Sequence, residues 1–221
     1  LHYDNGPHRL ANGNLYFANR EPDAIYEIDL FGNILNTWEI QGYRFHHEVF
    51  EKPNGNFLVS VDKYGSSTIE DYIIEIDRNS NQVIREWDLN KSLDNKRTTL
   101  TIDPEDWIHV NGVNYDEKDD CIIISGRTQG AVKLTADNEV VWIMGPHKDW
   151  SSSGNGIDLS QFLLQPLDAT GNLITDQAKT ILISNGTGTS TLQKFYQTET
   201  LSFSIMGITE ILLELAHTVV Q

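Results

Sequence analysis

A single cysteine in 221 residues excludes a disulfide within the chain, so cysteine usage is silent about redox compartment. That residue, Cys121, lies in Asp119-Asp-Cys-Ile-Ile-Ile-Ser and reads as a small core side chain on a buried strand. Basic residues are scarce: 16 Lys and Arg stand against 32 Asp and Glu, a formal net charge of −16. A field of that sign repels nucleic acid and anionic membrane surfaces, so neither is an expected partner. It also requires any site for an anionic substrate to be locally basic. No apolar run is long enough to span a bilayer, and no secretory leader is visible. The chain opens at Leu1 rather than Met, and a removed export signal would leave no trace. No glycine-rich loop follows a strand and opens a helix, which leaves nucleotide binding unsupported; no cofactor is expected.

Helical patterning is scarce before residue 158, and what is present is strand, turn and strand. Residues 25–40, 73–89 and 131–145 each read as a hairpin around a polar Gly/Asn turn, with a tryptophan near the end of the second strand. Trp38, Trp87 and Trp142 recur at a spacing of about 50 residues, typical of propeller blades. A turn and an apolar run precede each hairpin: Leu10–Ala18 with Asn-Gly-Asn, Pro53–Val61 with Pro-Asn-Gly-Asn-Phe-Leu-Val, and Tyr115–Ser125. Four antiparallel strands per unit predict an all-β fold of the β-propeller type. Three units are complete and a fourth starts near Gln161. Three and a part cannot close a ring, so the chain reads as a fragment or an open arc. Open strand edges are an association hazard and leave a homodimer open.

The chemistry concentrates in residues 107–132, which set His109 and Arg127 at the two ends of one apolar hairpin. An imidazole near a fixed cation suits the movement of an anionic group. His46 and His47 form a second focus. Strand alternation sends adjacent side chains to opposite faces, so only one of the two should face a propeller axis. For the same reason His46-His47-Glu48 is not expected to hold a metal, and no other cluster has ligand spacing. Alternation places Trp107, His109 and Asn111 on one face, where Asn111 could orient His109 or a substrate. His147, in Gly145-Pro-His-Lys-Asp-Trp, reads as a loop residue near the mouth; Asn111 and His147 are the expected substrate-binding residues. His2 and His8 lie in a ragged start and carry no expected role.

Several ordered motifs over residues 10–185 resemble bacterial arylsulfate sulfotransferases. They are Phe45-His-His-Glu-Val-Phe-Glu-Lys-Pro-Asn-Gly-Asn, Asp106-Trp-Ile-His-Val-Asn-Gly-Val-Asn-Tyr-Asp, Ile124-Ser-Gly-Arg-Thr-Gln-Gly-Ala-Val-Lys, Trp142-Ile-Met-Gly-Pro-His and Leu163-Leu-Gln-Pro-Leu-Asp. The resemblance implies a six-bladed propeller with an added N-terminal β-domain, which is not expected within these residues. It implies a periplasmic enzyme that moves a sulfuryl group from a phenolic sulfate ester to another phenol through a sulfated histidine, without a nucleotide sulfate donor. Its implied partners are small phenols and their sulfates. Carried over by motif, His47, His109 and Arg127 are the expected catalytic residues. Thr128 follows the arginine where the family has histidine.

The family's nucleophilic histidine sits in Thr-Gln-His; here the corresponding neighbourhood reads Tyr196-Gln-Thr-Glu-Thr, and only His217 follows, in an unrelated context. No nucleophile is therefore identified, and turnover by the chain as written is in question. Residues 1–195 are expected to form the partial propeller and 196–221 a non-homologous tail, helical as written. One frame-shifted encoding of Ser202–Thr209 reads Leu-Phe-Asp-Asn-Gly-Asp-Tyr, which is family-like. A frameshift from about residue 196 is the expectation, with a genuine amphipathic helix as the competing reading.

Overall fold

The computed structural model describes residues 7–165 apart from 21, 99, 100 and 102, together with residues 170, 172 and 173. Most of the fourth unit expected from Gln161, and the whole 196–221 segment with His217, lie outside the described residues, as does His2. Twelve strands form three four-stranded antiparallel sheets. The first holds β1 (His8–Arg9), β2 (Leu15–Arg20), β3 (Asp23–Ile28) and β4 (Ile34–Glu39). The second holds β5 (Tyr43–Glu51), β6 (Phe57–Lys63), β7 (Tyr72–Asp77) and β8 (Gln82–Asp88). The third holds β9 (Val110–Asp116), β10 (Cys121–Gly126), β11 (Gly130–Thr135) and β12 (Val140–Met144). Strands lie in sequence order within each sheet, which makes each sheet one blade of a β-propeller. Among the described residues only Leu89–Ser92 (α1) and the 3-10 turn Leu159–Phe162 are helical.

The two inner strands of the middle blade, β6 and β7, are buried on both sides, which explains why they read as continuous apolar runs rather than alternating ones. Along β6, Leu58 packs toward the third blade with Trp87, Trp107, Ile122 and Leu134. Its neighbour Val59 packs toward the first blade with Tyr16, Ile25, Phe45 and Ile74. Ile73 and Ile74 divide in the same way along β7. Each such side chain contributes roughly 2 kcal/mol by leaving water. By contrast, the outer strand β4 exposes Ile34 and Leu35.

Two members of the tryptophan repeat tie neighbouring blades together. Trp38 Nε1 donates to the Arg78 carbonyl at 2.9 Å, and Trp87 Nε1 donates to the Thr135 carbonyl at 2.8 Å. A reverse tie runs from the same turns: Asn81 Nδ2 donates to Glu39 O at 3.1 Å and Asn138 Nδ2 to Asp88 O at 2.8 Å. Both asparagines sit in the left-handed backbone region, at φ 54° and 63°, where Asn is tolerated better than most residues. The Asn-Gly-Asn turns are equally repetitive. Gly13 N donates to Leu10 O and Gly55 N to Lys52 O, at φ 93° and 86° that glycine accommodates. Each turn is braced by a buried glutamate from the third strand: Asn12 and Asn14 donate to Glu27, and Lys52 and Asn56 donate to Glu75. The third blade reverses the charges, with Lys133 donating to Asp116 and Asp119.

Candidate functional site

The first two strands of the middle blade depart from regular pairing where the histidines lie. Phe45 pairs with Val61 and Val49 with Val59, so His46, His47 and Glu48 together face Ser60 alone. Ser60 Oγ stitches this bulge, donating to His46 O at 2.6 Å and accepting from Glu48 N at 2.9 Å. His47 takes a left-handed backbone at φ 45°. The two rings consequently do not go to opposite faces, as regular alternation would require; their centroids lie 5.4 Å apart in an edge-on arrangement.

The segment before β9 behaves similarly. His109 precedes the strand with φ 52°, so alternation does not extend back from Asn111 to His109 and Trp107. Trp107 is wholly buried and donates its indole N–H to Asp71 Oδ2 at 2.8 Å, while Asn111 stands half-buried on β9. Val110 N donates to Glu70 O at 3.0 Å, bringing Glu70 (φ 55°) under His109. Across the hairpin, Arg127 N donates to His109 O at 2.9 Å, so the two ends of the hairpin meet. Thr128 and Gln129 brace the same segment by donating to Trp107 O at 2.5 and 2.8 Å.

The result is a chain of contacts joining both blades. His47 Nε2 lies 3.2 Å from Glu70 Oε2, and His109 Nδ1 lies 2.8 Å from that same oxygen. His109 Nδ1 is also 2.8 Å from Asp106 Oδ2, which in turn accepts from Arg127 Nη2 at 3.3 Å. The imidazole centroids of His47 and His109 are 5.0 Å apart. The sequence-expected trio of His47, His109 and Arg127 is thus brought together, linked by two carboxylates that sequence reasoning missed. Asp106 stands three residues before His109 inside a quoted motif and could have been noticed; Glu70 sits in a polar turn with no signature. Three non-glycine residues at positive φ, His47, Glu70 and His109, meet at one point, each at a cost of about 1 kcal/mol or more.

Electrostatics separates the histidines. Burial alone would lower the pKa of His109, but Glu70 and Asp106 outweigh it and hold the imidazolium above its ordinary range. Burial likewise opposes ionisation of Glu70, yet hydrogen bonds from His109 and His47 pull its carboxyl well below the ordinary value. Asp106 is pushed up by burial, with His109 partly offsetting it. His46 is fully enclosed, and desolvation lowers its pKa to about 4, which leaves it neutral. His147 lies on the loop after β12 with Nε2 2.8 Å from Leu164 O, so that nitrogen is engaged by the segment that follows the 3-10 turn.

Residues 2–201 match the family described as arylsulfotransferase (ASST). The chain is 34% identical to the arylsulfate sulfotransferase AssT of Escherichia coli O6:H1 (strain CFT073), over 68% of this chain and 32% of that protein. It is 33% identical to AssT of Lelliottia amnigena with the same coverage. The chain therefore spans about a third of the length of the curated relatives it matches. Among solved structures, similarity extends to a streptogramin B lyase (14% identity, TM-score 0.44, 77% of this chain and 52% of that one). A virginiamycin B lyase from Staphylococcus aureus is similar at 15% identity and TM-score 0.40, over 61% of this chain and 39% of that one.

Proposed function

The chain belongs to the arylsulfotransferase family, and on that premise we propose that His47, His109 and Arg127 form an aryl sulfate site for sulfuryl transfer between phenols. The observation that carries the reading is the single Glu70 oxygen shared by His47 and His109, with Arg127 tied to the same cluster through Asp106. Sulfuryl transfer makes demands like those of phosphoryl transfer: charge spreads over three equatorial oxygens while donor and acceptor stand in line, so positioning and charge stabilisation dominate. Arg127, 43% exposed at its side chain, offers a fixed planar cation to two of those oxygens. Two carboxylates hold His109 by Nδ1, which leaves Nε2 as the atom that meets a ligand. From there it gives a proton to the departing phenolate oxygen and later removes one from the accepting phenol. His47 donates to a sulfuryl oxygen. Asn111 and His147 remain proposed substrate contacts at the rim.

A covalent route would need a further neutral histidine to attack sulfur, forming N–S as S–O breaks. Where the family has Thr-Gln-His, this chain reads Tyr196-Gln-Thr-Glu-Thr. That observation favours a second reading, a propeller piece that binds aryl sulfates without turning them over. Phenolic substrates and a periplasmic setting are part of the same proposal, supported by the family; among the described residues no helix is long and apolar enough to cross a membrane. The test is release of 4-nitrophenol from its sulfate ester with phenol as acceptor, beside calorimetric binding of the same ester. Turnover abolished by His109→Ala supports transfer. Binding without turnover supports the second reading, and neither binding nor turnover overturns both.

A further inference from the structure

We propose that His46, His47 and Glu70 form a binding site for a divalent transition metal ion, with Zn2+ the best fit. One nitrogen of each ring and one Glu70 oxygen lie within 4.8 Å of one another. A tetrahedral Zn2+ with imidazole and carboxylate ligands holds its donors about 3.3 Å apart, so the three need to draw in by about 1.5 Å at most. The bulge is what makes this set. A regular strand would send consecutive histidines apart, and here the extra residues opposite Ser60 turn both toward Glu70.

The independent observation is the state of His46. Its side chain is wholly buried, and neither ring nitrogen makes a hydrogen bond of good geometry. The polar groups beside it are the Val61 backbone and Asp62 Oδ1, the latter 3.8 Å from Nε2. A buried imidazole with no firm partner costs stability, and coordination to a metal is a direct way to satisfy it. Glu70 and Asp62 supply negative charge on one side. His47, whose side chain is 32% exposed, supplies the path of entry and leaves room for water or an exogenous ligand at the remaining position. Imidazole and carboxylate donors suit Zn2+, Ni2+ or Cu2+ rather than Ca2+ or Mg2+. Binding replaces the His47–Glu70 hydrogen bond: the Nε2 lone pair goes to the ion and the ring proton stands on Nδ1.

Occupancy withdraws His47 and Glu70 from sulfuryl transfer, so the ion acts there as an inhibitor. That consequence rests on the proposed function; the binding itself does not.

The test titrates Co2+ into the untagged, chelator-treated chain while recording its visible absorption, followed by competition with Zn2+. The expected result is one tightly held equivalent with tetrahedral-type bands that Zn2+ displaces. Glu70→Gln and His47→Ala should each weaken it by at least about tenfold. His46→Asn should do the same; because His46 is buried, its variant is read only where circular dichroism shows a native fold, and the two others decide otherwise. No bands, or binding that survives both Glu70→Gln and His47→Ala, or binding lost instead with His8→Ala or His147→Ala, overturns the proposal. Metal binding that leaves aryl sulfate turnover untouched upholds the metal site and counts against the transfer reading.

Discussion

His47 and His109, on successive blades, share a single oxygen of Glu70, at 3.2 and 2.8 Å. Each histidine leaves regular strand geometry to do so, and the carboxylate between them adopts a left-handed backbone as well. Strain at three adjoining side chains persists only when the surrounding packing imposes it. Here the packing is the buried interface of the second and third blades, with Trp87 and Trp107 at its centre.

Arg127 should govern affinity for the anion. Losing a charge-assisted hydrogen bond costs about 1.5–3 kcal/mol, so Arg127→Ala should weaken binding of 4-nitrophenyl sulfate by roughly tenfold or more. Arg127→Lys should recover only part of it, because a point charge cannot match two oxygens at once. Isothermal calorimetry reads both.

Gly126 should be intolerant of even a methyl group. A Cβ there would sit 2.6 Å from Ile108 Cγ1, next to His109. Gly126→Ala should therefore cost about 1–3 kcal/mol of stability and disturb the site, read by urea unfolding and by binding of the same ester.

The inter-blade tryptophan ties should carry measurable stability. Trp87→Phe removes the donor to Thr135 O and leaves a small void in a fully buried setting, at a cost of about 2 kcal/mol. Trp38→Phe should cost less, since its setting is more open at 7% exposure. Chemical denaturation of the two variants side by side gives the order.

How much of this could be read from the sequence follows from the same residues. The repeat was legible because Trp38 and Trp87 perform one job in successive blades, and Asn12–Asn14 and Asn54–Asn56 build one turn twice. The motifs singled out His47, His109 and Arg127, and the structure brings the three side chains into one cluster. Their geometry was not, because alternation presumes regular pairing and the strand breaks register between Phe45 and Val49. The expected divergence of His46 and His47 failed for that reason, as did the common face assigned to Trp107, His109 and Asn111. Glu70 escaped notice because a carboxylate in a polar turn gives no periodic signal until the long-range contact to His109 is known.

Glu48 should impose a pH dependence on folding. Burial pushes its carboxyl up to about 8 from an ordinary 4.5. The folded chain then keeps a proton that the unfolded chain releases between those values. Its stabilising share is complete below about pH 4.5 and is lost as pH rises through about 8. Glu48→Gln should flatten that slope, with a chelator present throughout, and thermal melts across the range measure it. An unchanged slope would contradict the assignment.

The most direct test of the central claim is imidazole NMR of the histidine-labelled chain titrated with 4-nitrophenyl sulfate. The account predicts that the His47 and His109 signals move together at one ligand concentration, that His8 stays still, and that Arg127→Ala removes the response. Movement of His8 or His147 alone, or no movement of any histidine, would contradict a shared anion site between the second and third blades.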